Sequence, residues 1–180
     1  MAAQFAARDA KLGILEANFC SLPFRLLQFI REHGERLATD IERGTLDAQI
    51  AARMEPCAVM ELEAALGGGN AARASSLRAA LRVEAGEGER SDAATNHGLA
   101  RRLWPSLRLI LANATGAFEP YAARLQGGLG AGVPILSTVY AASEGLIGVA
   151  LDPTPDGRAA YCLVPSECAP APSSARAASL

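Results

Sequence analysis

Lysine is nearly missing from this sequence: of seventeen basic residues all but one are arginine, and the exception is Lys11. Chemistry that needs a lysine ammonium, as nucleophile or as phosphate anchor, has a single candidate near the N-terminus. Aromatic residues make up 5% of the chain, and alanine supplies much of the 50% that is apolar, so the core has little volume per residue. The two histidines, His33 and His97, are far apart and lack an adjacent partner, which fits caps or surface groups better than a general base. The four cysteines, Cys20, Cys57, Cys162 and Cys168, include no C-x-x-C pair, which excludes the common zinc ribbons and gives no disulfide framework. Free thiols point to a reducing compartment. The net charge of −2 with dispersed arginines excludes a basic stripe for nucleic acid, so no nucleic-acid partner is expected. Arg8, Asp9 and Lys11 interrupt the N-terminal region, which therefore lacks a secretory apolar run. The longest uncharged stretch, 125–143, holds four glycines and Pro134, a composition for a turn and strand, not a membrane helix. A cytoplasmic protein with no membrane contact is expected.

What is present fits one domain, because 180 residues bury one ordinary core. Residues 12–17 form a short apolar run broken by Gly13, a strand or a helix end. Ser21 caps a helix with Pro23 in its first turn, and His33-Gly34 closes it; a second helix runs through Leu37 and Ile41 to Gly44. Weak helical periodicity returns at 60–66 and 73–83, separated by Gly67-Gly-Gly-Asn70. Residues 84–96 carry no apolar period and are expected to be a mobile loop.

Beyond residue 99 the pattern changes. A short helix reaches Trp104, 107–112 has the composition of a buried strand, 113–116 that of a turn, 117–126 that of a helix, and 133–139 is β-branched and apolar. Strand, turn, helix and strand within about 30 residues is a βαβ unit with a parallel strand pair. Further strands are expected at 146–151 and 159–164, and the Ala/Pro/Ser tail 169–180 is expected to be disordered. The fold class is α/β: a partial mixed sheet with a βαβ unit and flanking helices. It divides into a helical part, 18–83, the loop 84–96 and an α/β core, 97–165, all within a partial domain 1–168.

Ligands of open α/β sheets sit outside the carboxyl ends of the strands. Two segments are expected there: Asn113-Ala-Thr-Gly-Ala117 after the first strand and Tyr140-Ala-Ala-Ser-Glu144 after the second. In the second, Tyr140 can stack on a nucleobase, Ala141 and Ala142 admit a ligand to the backbone, Ser143 can bond a phosphate oxygen and Glu144 can hold Mg²⁺. A strand end with a core tyrosine and a solvated glutamate uses the same residues. In the first, Gly116 permits the strand-to-helix turn, and a helix N-terminus can face an anion. Trp104 and Phe118 suit core anchoring better than stacking.

The strings Arg102-Leu-Trp-Pro-Ser-Leu-Arg-Leu-Ile-Leu-Ala-Asn-Ala-Thr-Gly-Ala117 and Pro134-Ile-Leu-Ser-Thr-Val-Tyr-Ala-Ala-Ser-Glu-Gly145 resemble the core of the Gretchen Hagen acyl acid amido synthetases, an auxin-responsive family of adenylate-forming enzymes. Asn18-Phe-Cys-Ser-Leu-Pro-Phe-Arg25, Glu32-His33 and Asp40-Ile-Glu-Arg-Gly-Thr-Leu46 are similar to the segment that precedes that core. The resemblance implies ATP and Mg²⁺ as cofactors, with a carboxylic acid and an amino acid as substrates that are joined through an acyl-adenylate. It implies Tyr140 against adenine, Ser143 near the α-phosphate and Glu144, the catalytic and metal residue, on Mg²⁺. It also implies Thr115, Gly116 and Ala117 lining the nucleotide and acyl pocket.

Two family features are missing from the sequence: the Ser/Thr/Gly-rich phosphate loop with its lysine, and the Tyr-Arg-x-Gly-Asp segment that holds the ribose. The expectation is an incomplete adenylate-forming domain, a central stretch of such an enzyme that is inactive alone. A non-catalytic remnant that binds nucleotide or a partner is the alternative, as is a gene model that has lost flanking exons. Substitute cations would come first from Arg101, Arg102 and Arg124.

Overall fold

Leu109–Asn113 alternates in burial, with Ile110 and Ala112 inside and their neighbours half-exposed, as a strand does when one face meets a core. This strand, β2, is the middle of a parallel sheet. On one side lies β1 (Ile14–Phe19), in register Ile14 to Leu109 and Leu15 to Ile110, with a bulge between Glu16 and Phe19. On the other lies β3 (Ile135–Leu136), in register Ile110 to Ile135. The computed structural model describes residues 2–84, 97–142, 145–153 and 159–164. Most of the expected loop 84–96, the expected tail 169–180, and Ser143, Glu144 and Cys168 lie outside the described residues.

Parallel strands cannot be joined by a tight turn, so each pair needs a crossover. The one from β2 to β3 is α7 (Glu119–Gln126), the expected βαβ unit. The one from β1 to β2 is much longer and contains α2 (Ser21–Arg43), α3 (Ala48–Ala51), α4 (Pro56–Leu66), α5 (Ala71–Glu84) and α6 (Leu99–Leu103). The expected strand 133–139 is corrected in one respect. Only Ile135–Leu136 belongs to the parallel sheet, because the Thr138 carbonyl accepts from the Ala150 amide at 2.9 Å and the chain is drawn into a second sheet. That sheet is antiparallel: β4 (Val139–Ala142), β5 (Gly145–Pro153) and β6 (Ala159–Leu163), with β5 central.

The expected break at His33-Gly34 is present as a kink: α2 spans Ser21–Arg43, but His33 leaves helical geometry, with φ −118° and ψ 17°, so two helical segments meet there. Gly34 is a packing residue: a Cβ there would lie 2.1 Å from Leu81 Cδ1 of α5, so its missing side chain lets the two helices approach. Ser21 is not the N-cap, a position taken by Cys20 without a side-chain hydrogen bond. Gly44 does end the helix, at φ 74°, its amide donating to the Asp40 carbonyl at 2.8 Å.

The core gathers Leu27, Ile30 and Ile41 of α2, Leu77 of α5, Leu99 and Leu103 of α6, Trp104, Leu107 and Leu125 around Ile110, all at or near zero exposure. A seven-residue helix that the sequence pattern does not announce, α1 (Ala2–Arg8), is pinned to this core at its C-terminal end. Trp104 Nε1 donates to the Ala6 carbonyl at 2.9 Å, and Arg73 Nε to the Ala7 carbonyl at 2.7 Å. These donors serve carbonyls that a helix end leaves unpaired. Burial pushes the Arg73 guanidinium below its usual pKa, an effect opposed by Asp9.

Two carboxylates near the end of α2 differ in environment. Burial and then the Asp47 carboxylate push Asp40 above its usual value, with Arg36 and Arg43 opposing, and Asp40 Oδ2 is buried without a hydrogen-bond partner. An acid whose folded pKa is raised destabilises the fold once the pH exceeds that pKa, and the penalty fades as the pH falls through the ordinary value. Asp40→Asn is therefore expected to raise the melting temperature at neutral pH. The gain should shrink as the pH approaches 3.8. Melting curves across that range check this, and a gain independent of pH would contradict it.

Candidate functional site

Because β1, β2 and β3 are parallel, their carboxyl ends share one edge of the sheet. β1 delivers Phe19 there, followed by Cys20, whose amide donates to the Asn113 carbonyl at 3.0 Å. The start of α2 is thereby tied to the end of β2. The Cys20 thiol is buried and contacts the Ala112 carbonyl at 3.8 Å, and burial raises its pKa to about 11, so it is a packing group and not a nucleophile.

β2 ends in an Asx turn. Asn113 Oδ1 accepts from the Thr115 amide at 3.1 Å and from Thr115 Oγ1 at 2.9 Å, which folds the chain back over the strand end. Gly116 follows at φ 60°, with nothing within 4 Å of where a Cβ would stand. The glycine is required by backbone conformation, and the space beside it is open. Thr115 is half-buried, whereas Gly116 and Ala117 are exposed. The expected anion-binding helix start is modified: a 3₁₀ turn, Gly116–Phe118, precedes α7, and Glu119 already places a carboxylate in its first turn. Phe118 is not a buried anchor. It is half-buried, with its ring stacked on Phe19 at 4.3 Å and 15°, which forms an aromatic step at the edge.

β3 reaches the same edge at Leu136, and Ser137 follows it. Ser137 is 3% exposed and its Oγ has no hydrogen-bond partner, a buried donor that the sequence reading passed over. Its position immediately after an apolar parallel strand was the available signal. Tyr140 and Ala141 come next, but as part of β4 and not as the loop expected after the strand. The reason is the antiparallel pairing of Tyr140 with Gly148 and of Ala141 with Leu146. Tyr140 is 45% exposed, so it is not a core tyrosine, and one side of its ring meets Tyr161 at 5.7 Å. Ala142 closes β4; Ser143 and Glu144 follow outside the described residues.

The candidate substitute cations are committed elsewhere. Arg101 Nη1 donates to the Leu107 carbonyl. Arg102 pairs with Glu84 and also donates to the His97 carbonyl. Arg124 lies over the Phe24 ring at 6.0 Å. His33 meets the Phe29 ring at 4.4 Å with the planes tilted by 53°. Among the described residues, Cys20, Cys57 and Cys162 are free thiols and no group of three metal-ligating side chains occurs. None of the described helices is long and apolar enough to cross a membrane.

A parallel sheet with helices packed on it, and with a glycine turn and an exposed tyrosine leaving one carboxyl edge, defines an open α/β domain of the ligand-binding kind. The comparisons make this specific. The sequence pattern of the GH3 family N-terminal domain matches residues 5–135, so the chain belongs to the GH3 family; the match stops short of Tyr140. A probable indole-3-acetic acid-amido synthetase, GH3.13 of Oryza sativa subsp. japonica, is 32% identical over 177 residues, which are 90% of this chain and 32% of the relative. The indole-3-acetic acid-amido synthetase GH3.17 of Arabidopsis thaliana is 28% identical over 151 residues, which are 83% of this chain and 22% of the relative. Among solved structures, a GH3.15 acyl acid amido synthetase superposes with a TM-score of 0.68 at 22% identity, covering 89% of this chain and 27% of that one, which shows a shared fold. The chain thus spans about a third or less of the length of these proteins.

Proposed function

We propose that this chain carries the nucleoside-holding edge of an ATP-dependent acid–amino acid ligase. In such an enzyme a carboxylate oxygen attacks the α-phosphorus of ATP with loss of pyrophosphate, and an amino acid nitrogen then attacks the acyl carbon with loss of AMP. The observation that carries this reading is the common edge of β2 and β3, from which both the Thr115-Gly116-Ala117 turn and the segment starting at Tyr140 depart. The open space at Gly116 admits a sugar or acyl group against the backbone, and the exposed ring of Tyr140 offers a face to adenine. Ala141 and Ala142 add no bulk beside it. Ser143 and Glu144 would complete the site at the α-phosphate and Mg²⁺.

The residues fit the two ends of the nucleotide unequally. The nucleoside end has an aromatic face and an open backbone, whereas Arg101 and Arg102 are bonded to Leu107 and Glu84 and Arg124 lies 6.0 Å from the Phe24 ring. The phosphate charge therefore needs groups other than these three arginines. A cytoplasmic setting without nucleic-acid partners belongs to the same reading, supported by the free thiols and the dispersed charge. The engaged arginines also favour a second reading, a non-catalytic member that keeps nucleotide binding alone.

The test is equilibrium binding of ATP to the purified chain and to Tyr140→Ala. Removal of a stacking ring is expected to weaken binding by ~5- to 150-fold, from ~1–3 kcal/mol per stacked base. Undiminished binding by the variant would take the nucleobase off Tyr140.

A further inference from the structure

Away from the sheet edge, the helical layer holds a cleft of about 620 Å³ between α1, the middle of α2 and residues 47–54. That volume lies within the ~300–1,000 Å³ of small-molecule sites. The start of α2 is bonded to the end of β2, and the cleft residues of α2 begin at Phe29. At 1.5 Å of rise per residue, the cleft is roughly 12 to 24 Å along the helix from the sheet edge. We propose that this cleft binds a compact apolar anion, independently of the nucleotide edge.

The apolar half of the argument is its lining. Phe29 is 43% exposed on one wall, and Ile50 and Met54, both half-buried, face it from the 47–54 segment. Removal of such surface from water favours a guest with a hydrocarbon body. At the base sits Gln4, which is 1% exposed. Its Nε2 donates to the Thr45 carbonyl at 2.6 Å, which fixes the amide and leaves Oε1 buried without a partner.

The anionic half is a charge count. The cleft has the guanidiniums of Arg36 and Arg53 against one carboxylate, Asp47. That carboxylate is already spent on the fold: Oδ1 accepts from the Gln49 amide at 2.9 Å and the Ile50 amide at 3.2 Å, and Oδ2 pairs with Arg36. Burial alone would raise its pKa, but the Ile50, Arg36 and Gln49 hydrogen bonds hold it below the usual value, so it stays charged. A guanidinium carries five N–H donors, and with its side chain 47% exposed Arg36 keeps donors free after this pairing. Arg53 is exposed and, among the described residues, has no carboxylate within ion-pair distance. With Asp47 and Arg36 paired to each other, the Arg53 guanidinium, unpaired among the described residues at the rim of an apolar cleft, selects a monoanion with a flat or alkyl body. A dianion or a polar metabolite would waste the lining.

The experiment titrates the purified chain with naphthoate and, separately, with its neutral analogue naphthamide, by calorimetry. Naphthoate is expected to bind saturably, and more tightly than naphthamide. Arg53→Gln, an exposed position that should not disturb folding, is expected to weaken naphthoate roughly three- to tenfold and to leave naphthamide unchanged. Ile50→Trp, which narrows the apolar part of the cleft, is expected to weaken both. Saturating ATP should displace neither. Absence of saturable binding, equal naphthoate affinity in Arg53→Gln, or displacement by ATP would each overturn the proposal.

Discussion

Trp104→Ala is expected to destabilise the chain by about 4–6 kcal/mol, a third or more of its margin. The side chain is fully buried, and truncating a buried tryptophan costs ~3–5 kcal/mol through lost transfer energy and the cavity left behind. The indole N–H also serves the Ala6 carbonyl, and losing that bond adds ~1 kcal/mol. Domains of this size hold only ~5–15 kcal/mol in total. Trp104→Phe should fall between the two, keeping most of the volume but leaving the α1 carbonyl unserved. Urea unfolding followed by circular dichroism measures this. A midpoint for the alanine variant near that of the parent would show that Trp104 does not anchor the core.

The purified chain is expected to give no acid-dependent exchange between ATP and pyrophosphate. Charge develops on the phosphate in adenylation, and loss of a single preorganised donor costs ~10² to 10³ in rate. Several are missing: Lys11 is the only lysine, Arg101 and Arg102 are bonded to Leu107 and Glu84, and Arg124 lies 6.0 Å from the Phe24 ring. The combined deficit should put the rate below detection. A panel of aromatic and fatty carboxylic acids, with a full-length family member as positive control, is the assay. Exchange above background would mean that one of these arginines leaves its partner during turnover.

The β2–α7–β3 unit was legible because its hydrophobic period switches within a short span, and the glycine turn at Gly116 follows from the steric demand of leaving a strand for a helix. Other features were hidden for identifiable reasons. The apolar run at 12–17 suggests a strand or a helix end but cannot say that its partner is β2, which lies beyond five helices. α1 is short and Ala-rich, and it is fixed by donors from Trp104 and Arg73, tertiary contacts with no local signature. The break at His33-Gly34 was legible and is the kink of α2, but that Gly34 also admits Leu81 depends on the position of α5.

The site divides in the same manner. Tyr140 was recognisable as a candidate, but the apolar run 133–139 gave no sign that the chain changes sheets at Thr138. The pairing with β5 that decides it is non-local. The Asx turn that shapes Thr115 is local and could be anticipated from Asn113, whereas the engagement of the three arginines depends on where α6, α7 and Phe24 meet. Sequence could supply the residue types for a nucleotide edge. Whether its cations were free was a matter of packing.

The central claim is that one sheet edge holds the nucleoside, and an amide chemical-shift map of the isotope-labelled chain on addition of ATP and Mg²⁺ tests it most directly. The account predicts shifts clustered at Thr115, Gly116 and Ala117 and from Tyr140 to Glu144, with the cleft at Ile50 and Arg53 silent. Saturable shifts confined to other surfaces, or none at either segment, would contradict it.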